Sequence, residues 1–371
     1  MTHRKAADAR ALRATPWLAS QYRAPPCSVL CCAALGLAAL AANNTSALAQ
    51  TVRGRVIDDV GETPVVGAVV VLLNDEAESV GGVLTDGNGL FSLVAPAAGE
   101  YRLRAEMIGR RSGESASFVV ADQPVFQTLV LPVEPIQLAG LDVDVARRCS
   151  VVGDAARATH VVWSEARKAL RAESVTRDQA MYRYRVAEYH RRLDRRGEEV
   201  IEEEVEHFTH IRDDPFSTLP ADVLARDGYV REERDGIYVY GPTTGVFLSQ
   251  GFQDTHCFAL RRDRDRPGLV GLVFEPVPGR DLPDIEGVLW LDERSAELRT
   301  LEFRYRNIPR TLARGEYSGF ARFQRLTDGG WIIRSWWLRS PINGRGRRVT
   351  GMVEEAGEVL SVEPIEPTVR R

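Results

Sequence analysis

At 371 residues the chain is long enough for two hydrophobic cores, because single cores usually stop growing near about 250–300 residues. Its 44% hydrophobic and 27% charged residues fit a globular protein, which excludes a fibrous or low-complexity chain. A formal net charge of −4 offers no basic footprint for nucleic acid.

The first 49 residues read as an export signal. Arg4, Lys5, Arg10, Arg13 and Arg23 make a basic start, an apolar run follows from Val29 to Ala42, and Ala47-Leu48-Ala49 matches a small-x-small cleavage pattern that leaves Gln50 as the new N-terminus. The apolar run falls short of the ~20 residues that a bilayer requires. Cys31 and Cys32 sit at the front of that run, where a lipoprotein cysteine would stand behind it. Removing five basic and one acidic side chain takes the net charge from −4 to about −8. The expected product is exported, periplasmic or associated with the outer membrane or cell surface, with no transmembrane span in the mature chain. Cys149 and Cys257 then remain as an even pair in an oxidising compartment. The expectation is a disulfide between them, and the alternative is two separate thiols.

Residues 50–133 alternate short apolar runs with turn residues. The expected strands are Val52–Ile57, Ala68–Leu73, Gly82–Thr85, Leu90–Val94, Tyr101–Met107, Ser115–Val120 and Phe126–Leu131, a seven-stranded β-sandwich. Thr85-Asp86-Gly87-Asn88-Gly89 is a hairpin turn in which Asp86 bonds its own backbone. Calcium is the weaker reading of that turn, because glycines fill the alternate places where ligands would stand. Gly54-Arg55-Val56, Pro64 with Gly67-Ala68-Val69, Thr85-Asp86-x-x-Gly89-x-Phe91 and Gly99-x-Tyr101-x-Leu103 together resemble the carboxypeptidase regulatory-like domain, a transthyretin-like sandwich. That resemblance implies an accessory domain without catalytic residues of its own. In TonB-dependent receptors a phrase similar to Leu138–Val145 follows such a sandwich. Only about 225 residues remain here, too few strands for a receptor barrel.

Residues 134–153 are the expected linker, and the stretch from Pro132 to Ala155 is long enough for independent motion unless a bridge restrains it. Residues 154–371 read as an antiparallel β-sheet domain with an N-terminal helix at Asp154–Ala172, where Trp163, Ala166 and Leu170 recur at helical spacing. Short helices are expected at Thr218–Arg226 and Thr243–Phe252. Long strands are expected at Met181–Tyr189 and Glu198–Ile211. Further strands follow at Cys257–Arg261, Leu269–Phe274, Gly287–Asp292, Leu298–Arg306, Gly319–Leu326, Trp331–Arg339 and Arg348–Glu354. The strand–turn–strand from Gly287 to Phe303 resembles the repeating unit of the LolA-like lipoprotein-carrier fold, which implies a curved sheet partly closed by helices. Overall the fold class is mainly β: a sandwich followed by a curved antiparallel sheet with a few packed helices.

Tyr182, Tyr184, Trp290, Phe303, Tyr305, Trp336 and Trp337 are the candidate lining of an apolar cavity on the concave face. The competing reading makes them core. In the Trp331 strand, plain alternation puts Trp331, Ile333 and Trp337 on one face and Ile332, Trp336 and Leu338 on the other. His207 and His210 fall on opposite faces of a strand and lack a third ligand, so no metal is expected. No nucleophile elbow, phosphate loop or zinc-peptidase motif is present, and the sequence implies no catalytic residue and no cofactor. Three functions stay in competition. One is a non-enzymatic envelope protein whose partner is another envelope protein or an apolar (lipid) ligand. The others are a structural interaction module and a hydrolase with an unrecognised pair of carboxylates.

Overall fold

A computed structural model describes residues 50–134, 154–211, 215–232, 237–309, 315–344 and 348–365. The expected export signal, the Leu138–Val145 phrase and Cys149 lie outside them.

Eight strands form the sandwich: β1 (Gln50–Ile57), β2 (Val69–Leu73), β3 (Ser79–Leu84), β4 (Leu90–Ala95), β5 (Gly99–Glu106), β6 (Gly113–Glu114), β7 (Phe118–Val120) and β8 (Val125–Val130). One sheet runs β4-β1-β8, with β1 and β8 parallel; the other runs β3-β2-β5-β6, with β7 also on β5. The strand expected at Ser115–Val120 is present in two pieces because Ser115 interrupts the ladder. Its N–H donates to the Leu103 carbonyl, and its Oγ accepts from Leu103 N–H at 2.9 Å, the place a backbone carbonyl would take. Between the sheets lie Val52, Val56, Val70, Leu72, Phe91, Leu103 and Leu129. The hairpin turn is fastened as its sequence implies: Asp86 Oδ1 accepts from the backbone N–H groups of Asn88 and Leu90.

The second unit begins with α1 (Asp154–Asp178), β9 (Tyr182–Leu193) and β10 (Val200–His210). Then come α2 (Ala221–Asp227), β11 (Val230–Glu232), β12 (Ile237–Val239), α3 (Thr244–Leu248) and α4 (Gln250–Thr255). A long meander closes the unit: β13 (His256–Arg261), β14 (Leu269–Pro276), β15 (Asp284–Asp292), β16 (Leu298–Arg306), β17 (Ser318–Arg325), β18 (Trp331–Asn343) and β19 (Val349–Pro364). Nine of these strands make one antiparallel sheet, ordered β10-β9-β19-β18-β17-β16-β15-β14-β13. β10 and β13 are therefore opposite edges, and the chain between them carries α2, the small β11–β12 hairpin, α3 and α4. That return path packs against α1 and one face of the sheet, as when Phe216 meets Phe303 edge-on at 5.6 Å and Tyr305 donates to the Tyr240 carbonyl. Helices therefore cover the inner face. The helix expected at Thr243–Phe252 is two helices, because Ser249 is extended and its Oγ caps α4 by accepting from Phe252 N–H.

Side-chain alternation follows expectation in β16, where Leu301, Phe303 and Tyr305 enter the core. In β18 it does not. The register slips between Arg322 and Phe323, so that Arg322 faces Ser335 while Phe323 faces Ile333. Arg334 is the extra residue, and one extra residue reverses which side chains point inward. As a correction to plain alternation, Trp336 and Leu338 join Trp331 and Ile333 in the core, and Trp337 faces outward.

The two units share a continuous core. β2 is buried along its whole length: Val70 and Leu72 fill the sandwich, while Val69, Val71 and Leu73 belong to the cluster around α1. Each such side chain removed from water contributes about 1.5–3 kcal/mol. Polar groups complete the contact. Glu165, only 1% exposed, accepts from Gly109 N–H at 2.8 Å and from Lys168 Nζ at 2.5 Å, and Lys168 also donates to the Arg110 carbonyl at 2.7 Å. Arg171 pairs with buried Glu106 at 3.1 Å. Two turn glycines abut, Gly67 at φ +72° and Gly329 at φ +94°, and a Cβ on either would collide with the other's backbone.

Candidate functional site

The seven aromatic residues do not line one cavity. Tyr182, Tyr184, Phe303, Tyr305 and Trp336 are buried on the inner face beneath α1 and the return path. Burial pushes the hydroxyls of Tyr182, Tyr184 and Tyr305 above their ordinary range, so they stay neutral. The space left beside Glu173, Tyr184 and Trp336 is about 40 Å³, room for a few water molecules and no acyl chain. Trp290 and Trp337 are on the other face, because strand parity in β15 and the β18 bulge turn them outward. Trp290 is nonetheless buried, packed with Val273, Val288 and Leu269 and overlain by the guanidinium of Arg266 at 4.8 Å.

The outer face holds a groove of about 570 Å³. One flank is a stack of side chains. The Phe320 and Trp337 rings lie 12° from parallel with centroids 5.9 Å apart, and the Arg339 guanidinium lies 4.4 Å from the Trp337 centroid. Trp337 is the middle member; all three line the groove, and Phe320 stands opposite Glu302 on β16. The opposite flank is Arg261 and Arg266, which roof Trp290. Val273, Val288, Glu286, Glu302 and Arg304 lie between the flanks.

The cations bordering this groove hold carboxylates. Arg266 meets Glu302 at 2.6 Å, Arg304 and Arg306 share Glu286 at 2.5 and 3.0 Å, Arg339 meets Glu354 at 2.6 Å, and Arg261 meets Asp263 at 3.3 Å. Glu354, 3% exposed, also takes Arg191 at 3.0 Å, extending the array onto β9. Phe320, Arg266 and Glu302 escape a search for aromatic clusters. The signal that finds them is parity: Ala321 and Phe323 point inward, so Phe320 points outward.

His207 and His210 lie on the exposed edge strand β10, where the Phe208 ring neighbours His210 at 5.6 Å. Among the described residues no group of three or more His, Cys, Asp or Glu side chains is placed to hold a metal ion. No described helix is long and apolar enough to cross a membrane. Buried His256 is tied to Asp284 at 3.3 Å and to the carbonyls of Phe252 and Ile285 at 3.1 Å, and it stacks on Phe252 at 3.9 Å. Those contacts join α4 to the sheet. Cys257 is the next residue on β13, and Cys149 lies outside the described residues.

Residues 51–132 match the family model of the carboxypeptidase regulatory-like domain. No curated protein matches the chain. Among solved structures, the chain is similar to a 5-hydroxyisourate hydrolase of Klebsiella pneumoniae, at 20% identity over 23% of this chain and 85% of that one, with a TM-score of 0.20. It is similar to a DUF1329 family protein of Desulfovibrio piger, at 13% identity over 54% and 92%, with a TM-score of 0.25. It is also similar to BcpA, the major pilin subunit of Bacillus cereus, at 11% identity over 82% and 94%, with a TM-score of 0.21. Scores this low carry no functional argument, and the LolA-like resemblance gains no support from these matches.

Proposed function

We propose that the mature chain is a non-catalytic adaptor of the bacterial envelope, in which the regulatory-like sandwich is held rigidly against a second sheet domain. The observation that carries this reading is β2, whose two faces belong to two cores. A strand buried on both sides cannot swing away without exposing five apolar side chains, so the sandwich serves as a fixed extension of the sheet. The basic start, apolar run and cleavage pattern of residues 1–49 support export. Export in turn favours pairing of Cys149 with Cys257, which would tie the segment after the sandwich to β13. The filled inner face favours an interaction module over a carrier of apolar ligands, since the aromatic residues a carrier would line its cavity with are packed together.

Native mass spectrometry of the protein purified gently from a bacterial periplasm tests this reading. The expected result is the mass of the bare polypeptide beginning at Gln50. Extra mass released by organic solvent, and lost in Trp336→Ala, would overturn it in favour of a carrier.

A further inference from the structure

We propose that the outer-face groove binds a neutral glycan chain, with Phe320 as the stacking surface and Glu302, Glu286 and their arginine partners as the hydrogen-bonding floor. The groove's volume of about 570 Å³ falls within the roughly 300–1,000 Å³ usual for small-molecule sites. Its chemistry selects among ligands by elimination. An acyl chain would have to strip water from at least Glu302, Arg266 and Arg304, at a cost in each case that apolar contact with Val273 and Val288 does not offset. An anionic ligand would need a free cation. Arg261, Arg266, Arg304 and Arg339 are each already held by a carboxylate, so phosphate or carboxylate binding would break an existing ion pair to form another.

A neutral polyol meets neither obstacle. Arginine–carboxylate pairs in this geometry keep unused N–H donors and carboxylate lone pairs, which suit hydroxyl groups that both donate and accept. A pyranose ring also presents a face of C–H bonds, positively polarised by the ring oxygens, to the negative face of an aromatic ring. Phe320 stands opposite Glu302 on β16, and Trp337 stacks on its ring, so little side-chain freedom is lost on binding. The site lies on the sheet, opposite the helices, and stands or falls independently of the adaptor reading.

Isothermal titration of the purified protein with maltohexaose, cellohexaose and chitohexaose, at low and at high salt, tests the proposal. At least one of these is expected to bind with a Kd below about 1 mM, the weak end of specific recognition. Because the ligand is uncharged, that affinity should be unaltered by salt. Phe320→Ala should weaken binding by about tenfold or more while leaving the protein folded, and Phe320→Trp should restore it. Glu302→Gln should weaken it through the floor, without touching the stack. The proposal is overturned if none of the three binds, if binding falls away with salt as an arginine–anion contact would, or if it survives both Phe320→Ala and Glu302→Gln.

Discussion

The two faces of the nine-stranded sheet both carry large aromatic residues, yet those residues do different things. On the inner face Tyr182, Phe303, Tyr305 and Trp336 are sealed beneath α1 and the chain returning from β10 to β13. On the outer face Phe320 and Trp337 stand half-exposed among arginine–glutamate pairs. Side-chain chemistry is nearly the same on both sides. What separates core from site is which face the connection between the two edge strands crosses, and that is a property of topology.

Trp336 and Trp337 break or sharpen this comparison most directly, because they are neighbours in sequence on opposite faces. Trp336→Ala is expected to cost about 3–5 kcal/mol in urea unfolding, as a buried aromatic leaving a cavity. Trp337→Ala should cost less, about 1–2 kcal/mol, for the lost ring pair with Phe320 and cation contact with Arg339. Equal losses would mean that the outer face is as packed as the inner one.

Between the two units, Glu165→Ala leaves the Lys168 ammonium buried beside the Arg110 carbonyl and should cost about 3 kcal/mol or more by chemical denaturation. The double replacement Glu165→Leu with Lys168→Met should lie much closer to wild type, and failure of that rescue would show that the pair is not the source of the loss. Next in size, Cys257→Ser should remove about 2–4 kcal/mol if the proposed Cys149 bridge closes its long loop. Wild type measured with and without reductant should show the same difference, and equal stabilities would exclude the bridge. Gly329→Ala forces a side chain into a left-handed turn against Gly67 and should cost upwards of about 1 kcal/mol. An unchanged denaturation midpoint would mean that the two turns separate freely.

Much of this fold is legible in the sequence, because the hairpin turns and period-two alternation are local signals. α1 runs past the expected Ala172 to Asp178, but its start, the sandwich strands other than the one split at Ser115, and the β15–β16 hairpin fall where apolar spacing puts them. The end of β19 does not: the strand expected to stop at Glu354 runs on to Pro364, and Glu354 itself is buried between Arg191 and Arg339. Gly357 lies in that extra length, and its missing side chain admits the Trp336 indole. Both are long-range facts. The candidate site was harder still. The aromatic residues chosen as cavity lining include five that the return path buries, while Phe320 looks ordinary until the parity of β17 and the bulge at Arg334 are known. Neither the bulge nor the return path has a local signature.

Differential scanning calorimetry of the purified protein is the most direct test that sandwich and sheet form one body. A single transition is expected, with equal calorimetric and van't Hoff enthalpies. Two resolved transitions, the smaller with an enthalpy appropriate to the sandwich alone, would contradict the shared core at β2.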